Sequence, residues 1–149
     1  MSPQHPDISA PTPVQLTLDH AGVSVDDIAR STRFYRDVLG FEVEEEFQIP
    51  GTPVRGAVLV NRSGARVELF HRADSQRAPA GHPIESTLQQ GWFQVAFCVA
   101  DVVTVFDRVV EAGASPVKEP FVAPDGHTHV AFIGDPDGNL IELIQRTTN

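Results

Sequence analysis

Four side chains with metal-binding chemistry recur at a fixed interval. His20 stands in Leu18-Asp19-His20-Ala21-Gly22-Val23-Ser24-Val25, and Glu68 in Arg66-Val67-Glu68-Leu69-Phe70. A shift of 74 positions carries His20 onto Gln94, in Phe93-Gln94-Val95-Ala96-Phe97-Cys98-Val99, and Glu68 onto Glu142, in Leu140-Ile141-Glu142-Leu143-Ile144. No insertion separates the equivalents, so the chain reads as an internal duplication, and that fixes architecture before anything else. One imidazole, one amide and two carboxylates offer one nitrogen and three oxygens. Two waters or a chelating substrate would complete an octahedron around a divalent ion, whose charge the carboxylates neutralise. The competing reading makes Glu68 and Glu142 solvent-facing strand residues, and Gln94 a hydrogen-bonded core residue. Against it, a lone charge inside an apolar run needs a partner. Two glutamates aimed into one cavity without a cation would repel, and burial would raise a carboxyl pKa.

These side chains need strands to hold them. Residues 16–25 alternate loosely between large apolar and small, as a strand does. Asp26 or Asp27 then caps a helix carrying Ile28, Phe34, Tyr35, Val38 and Leu39, which Gly40 ends. Glu42–Gln48, Val54–Val60 and Arg66–Phe70 read as three further strands, with Pro50-Gly51 and Asn61-Arg62-Ser63-Gly64 as the turns. The second half repeats this order. Phe93–Val99 is a strand, and a helix capped near Ala100 or Asp101 bears Val102, Phe106 and Val109. Pro116–Glu119, His129–Ile133 and Asn139–Gln145 complete it, the last two joined by the tight-turn signal Asp135-Pro136-Asp137-Gly138-Asn139. The expected organisation is one domain over residues 16–146, with module one at 16–70, a linker at 71–91 and module two at 92–146. A helical turn is expected near Ile84–Leu88. Residues 1–15 read as a disordered tail, proline-rich and without a signal-peptide core.

Alternation along strands nominates further site residues. Ser24 shares a face with His20, and Cys98 shares one with Gln94. The small residues between them leave room for a substrate, so Cys98 reads as lining rather than nucleophile. Arg55 and His129 are equivalents under the same shift. Both are expected to point into the substrate cavity, the alternative for His129 being an edge histidine in solvent.

Bulk properties exclude several classes. A net charge of −9 and a pI near 4.9 argue against nucleic acid or an anionic membrane as partner. The acidic run Glu42, Glu44, Glu45 and Glu46 reads as a solvated strand edge. No apolar stretch is long enough to span a bilayer. A single cysteine allows no internal disulfide, and a reducing, cytoplasmic setting is the simplest expectation.

The segments His20–Val25, Phe34-Tyr35-Arg36-Asp37-Val38-Leu39-Gly40-Phe41 and Asp135–Leu143 resemble the vicinal oxygen chelate superfamily. That group includes glyoxalase I, methylmalonyl-CoA epimerase, extradiol dioxygenases, fosfomycin-resistance enzymes and bleomycin-binding proteins. The resemblance implies an α+β fold of two tandem β-α-β-β-β modules forming a cup-like half-barrel. It implies one divalent ion (Ni, Co, Zn, Mn or Mg) held by His20, Glu68, Gln94 and Glu142. Gln94 departs from the histidine found there in many relatives. The resemblance further implies that Glu142 or Glu68 acts as base and that the chain is a homodimer. The expected function is a metal-dependent isomerase, epimerase or lyase acting on a small substrate with vicinal oxygens, through an enolate or enediolate. Residues that grip glutathione in glyoxalase I are not recognisable. The alternatives are a metal-free binding protein of the bleomycin-binding type, and a dioxygenase or fosfomycin-type transferase; the missing second histidine counts against an extradiol dioxygenase.

Overall fold

Two equivalent aspartates start the two helices. Asp27 and Asp101 hold extended backbone, and each side chain accepts from the main-chain N–H three residues on, of Arg30 and Thr104. These bonds satisfy donors that a first turn leaves free. In the computed structural model, which describes residues 15–147, helix α1 spans Ile28–Asp37 and helix α2 spans Val102–Glu111. The expected tail falls almost wholly outside the described residues.

Eight strands surround these helices: β1 (His20–Ser24), β2 (Glu42–Gln48), β3 (Arg55–Val60), β4 (Arg66–His71), β5 (Gln94–Cys98), β6 (Ser115–Val122), β7 (His129–Gly134) and β8 (Leu140–Gln145). They form two four-stranded sheets in the orders β1-β4-β3-β2 and β5-β8-β7-β6. Within each, the first strand runs parallel to the last and the other pairs are antiparallel. The fold is the expected α+β duplication, and neither sheet closes into a barrel. A short 3-10 turn at Glu85–Leu88 falls within the helical turn expected in the linker. Among the described residues no helix is long and apolar enough to cross a membrane.

Two boundaries moved for physical reasons. Strand β1 begins at His20, and Leu16 and Leu18 lie exposed ahead of it. Strand β6 runs on past Glu119, because Pro116 and Pro120 sit on a sheet edge where a missing N–H breaks no ladder.

Ladder register decides which side chains meet the helices. Val67 and Leu69 of β4 pack with Ala57 and Leu59 of β3, Ile141 and Leu143 of β8, and Phe34, Tyr35, Phe106 and Val109 of the helices in one buried cluster. Fully burying each such aliphatic or aromatic side chain contributes about 1.5–3 kcal/mol. The alternate residues, Glu68 and Phe70 on β4 and Glu142 and Ile144 on β8, look to the opposite, open face. A ring contact joins the two modules, Phe41 against Phe97 with centroids 5.7 Å apart. A polar seam joins them too: Tyr35 Oη donates to Asp135 Oδ2, and Arg30 Nη2 to Asp137 Oδ1 at 2.6 Å.

Candidate active site

Parallel pairing places Gly22 of β1 opposite Glu68 of β4, so His20, Gly22 and Ser24 share the open face with that glutamate. His20 lies diagonally across, its Nε2 2.9 Å from Glu68 Oε2. Its Nδ1 lies 2.8 Å from Asp19 Oδ2. The hydrogen bond that the ring donates to Asp19 raises the imidazole pKa above its ordinary 6.5, and the Glu68 charge adds to this while desolvation opposes it. The second module repeats the design. Ala96 of β5 pairs with Glu142 of β8, and Gln94 Nε2 donates to Glu142 Oε2 at 2.5 Å. Desolvation pushes the Glu142 carboxyl above its ordinary value; the Gln94 bond and the Arg146 charge pull it part of the way back.

The chain thus presents two pairs, His20 with Glu68 and Gln94 with Glu142. It does not gather them into one shell: among the described residues no three His, Cys, Asp or Glu side chains form a group able to hold a metal ion. His20 and Gln94 do border one cleft of about 770 Å³, between β1 and β5 and beside Trp92. Each pair sets a carboxylate against a neutral donor. A carboxylate on the far nitrogen of an imidazole is the arrangement that orients a metal-binding histidine. The donors therefore fit a divalent ion as two half-sets.

Ser24 and Cys98 stand exposed at the ends of β1 and β5, on the open face. Arg55 and His129 do not join them. Phe132 of β7 is the residue that pairs with Glu142, whereas His129, three positions away, pairs with Gln145. His129 therefore lies on the helix side with Ala131 and Ile133, its Nδ1 buried without a hydrogen-bond partner. Arg55 pairs with His71 and alternates with Gly56, which lies opposite Phe70 on the open face. The expectation that both point into the substrate cavity is corrected: each stands three positions, an odd step, from the residue that pairs with its module's glutamate.

Two participants were missed. Asp19 holds His20 yet is its immediate neighbour, and no sequence pattern announces it. Asp135 was read only as part of a turn. It is 2% exposed, accepting from Tyr35 Oη, Asp137 N, Asn139 N and Asn139 Nδ2. An aspartate directly before proline and glycine signals a turn equally well whether buried or not.

Comparison with known proteins gives a consistent picture. Residues 17–143 match the Glyoxalase/Bleomycin resistance protein/Dioxygenase superfamily. A probable lactoylglutathione lyase of Vibrio cholerae is 31% identical over 133 residues, covering 85% of this chain and 88% of that one. A probable lactoylglutathione lyase of Synechocystis is 29% identical over 132 residues, covering 87% and 95%. Among solved structures, a V278E mutant of glyoxalase I from Zea mays superposes with a TM-score of 0.70 at 26% identity, covering 87% of this chain but only 44% of that longer one. The matched model spans most of the sequence, and the chain belongs to the glyoxalase/bleomycin resistance protein/dioxygenase superfamily.

Proposed function

We propose that this protein is a divalent-metal-dependent lyase or isomerase of the glyoxalase type, and that a second copy of the chain completes each site. The observation that carries the reading is the pair of half-sets: each is internally bonded, and each leaves the other out of reach within one chain. The names of the relatives support a lyase of this type. In a homodimer, His20 and Glu68 of one copy would face Gln94 and Glu142 of the other around one ion.

When bound, the ion supplies Lewis-acid neutralisation of the substrate oxygen that becomes negative as a carbon-bound proton leaves. The chain's own residues do the rest. Glu142 is the base: it takes the proton from the carbon beside the carbonyl and returns it to the neighbouring carbon. Desolvation raises its pKa, which makes the carboxylate a stronger base than a free one. Gln94 holds Oε2 of that carboxyl and leaves Oε1 for the substrate. Asp19 fixes the His20 ring so that Nε2 points at Glu68. Ser24 and Cys98 line the rim as small side chains, and the substrate is a small molecule with vicinal oxygens. A cytoplasmic setting accords with the lone, unpaired cysteine.

Elemental analysis of the purified protein beside its mass in solution tests this. The expected result is one divalent ion per completed site in a dimer. Less than about a tenth of an equivalent, with no uptake of Ni²⁺, Co²⁺, Mn²⁺ or Zn²⁺, overturns it. Tight ligand capture that survives a chelator would instead favour a metal-free binding protein.

A further inference from the structure

The open face of the second sheet is mostly apolar, and Lys118 on it forms no ion pair among the described residues. Strand β6 shifts register on both sides of Lys118, and Lys118 pairs with Phe132. Phe132 pairs with Glu142, and Glu142 with Ala96. Lys118, Phe132, Glu142 and Ala96 therefore form one row across four strands, on the open face. Two strand spacings separate Lys118 from Glu142, about 9.5 Å between backbones.

The surroundings of Lys118 are hydrocarbon. Its Nζ sits 3.8 Å from the centre of the Phe121 ring, and Phe121 stacks on Phe132 with centroids 6.3 Å apart. Phe132 is buried with Val130 and Leu140, and Phe121 and Ile144 pack against them. Among the described residues no carboxylate forms an ion pair with Lys118. The duplicate sheet resolves the same position differently. Seventy-four residues earlier stands Glu44, which Arg66 grips with two hydrogen bonds of 2.8 and 3.0 Å. The ring is common to both halves, Phe47 matching Phe121, but the first half closes its charge internally and the second leaves its own open. A half-buried ammonium over an aromatic ring gains from the ring's quadrupole, yet still lacks an anion.

We propose that Lys118 is a substrate-binding residue that reads a carboxylate. The substrate then has an apolar body, aryl or branched alkyl, lying over the partly exposed Phe121 ring. Its carboxylate meets Lys118 and its reacting carbon reaches Glu142. This rests on the proposed function for the position of the reacting end, but not for the carboxylate preference itself.

The test measures binding of phenylpyruvate and of its methyl ester by calorimetry, in chelator-treated and in metal-loaded protein. Wild type prefers the acid by about tenfold or more in Kd. Lys118→Met brings the two ligands to within about twofold, and Lys118→Arg keeps the preference. Arg146→Gln, which removes the cation whose charge acts on Glu142, keeps it as well. Should Lys118→Met fail to fold by circular dichroism, the Lys118→Gln and Lys118→Arg pair decides. Absence of an acid preference in wild type, or its loss in Arg146→Gln but not at Lys118, overturns the proposal. An acid preference that follows Lys118 in protein unable to take up metal upholds Lys118 while overturning the metal reading.

Discussion

The Tyr35 hydroxyl donates to Asp135 Oδ2 at 3.1 Å, with both side chains almost wholly buried. This bond ties helix α1 of one module to the turn before β8 of the other. Removing the hydroxyl leaves a desolvated carboxylate oxygen with one partner fewer. Tyr35→Phe is expected to cost about 1–2 kcal/mol, and Asp135→Ala more, since it strips the turn's own N–H groups as well. Urea unfolding followed by fluorescence measures both; a Tyr35→Phe midpoint equal to wild type would contradict this account.

Inactive variants should rescue one another. If each site takes His20 from one copy and Glu142 from the other, a heterodimer of His20→Ala and Glu142→Ala chains carries one intact site and one doubly damaged site. Random mixing should restore roughly a quarter of wild-type sites from two silent parents. Metal content and turnover after denaturing and co-refolding the two variants provide the check. No recovery would place the whole site within one chain.

Asp19 should matter for metal and not for folding. Its carboxylate holds His20 from the far nitrogen while lying mostly in solvent. Asp19→Asn is expected to weaken metal binding by about tenfold or more and leave the metal-free melting temperature unchanged. Competition with a chromogenic chelator reads the first quantity and calorimetry the second.

The turn at Asp125 sets one branch of the stability–pH curve. Its carboxylate accepts first from the Thr128 hydroxyl, then from the backbone N–H groups of Thr128 and His127, and these hold its pKa well below the ordinary 3.8. A depressed folded-state pKa stabilises at pH above the unfolded value and is lost as pH falls through the folded one. The melting-temperature gap between wild type and Asp125→Asn should therefore be constant above about pH 5 and shrink below about pH 4. A gap that widens with acid would reverse the argument.

Gly56 is sized by a ring. A Cβ there would collide with the Phe47 ring, because the Phe47 side chain closes over the bare backbone of β3. Phe47 also packs edge-on against Phe70 on the open face. Gly56→Ala must displace that ring and is expected to cost about 1–3 kcal/mol. Gly56→Ala with Phe47→Ala should recover part of the loss, measured by thermal melts of the double-mutant cycle.

Much of this molecule was legible because periodicity and duplication agreed. Alternation groups His20 with Ser24 on one face of β1, and the pairing of β1 with β4 sets that face beside Glu68. The helix caps were legible because aspartate before an apolar helical face has a mechanical reason to be there. The face of His129 was not. Alternation alone groups His129 with Ala131 and Ile133, but which side carries Glu142 depends on register across β7 and β8, a non-local property. Asp135 stayed hidden because turn chemistry looks the same with or without a tyrosine from a residue 100 positions earlier. The separation of the two donor pairs is a matter of how modules pack, which no local pattern encodes.

Glu68 and Glu142 each lie against the donor of their own sheet, Glu68 2.9 Å from His20 and Glu142 accepting from Gln94. Selection can therefore retune one half at a time. In the proposed site, a replacement at residue 94 would alter hardness and charge on one side of the ion and leave the opposing imidazole's setting intact. Metal preference would then drift by single steps, each passing through a folded ancestor.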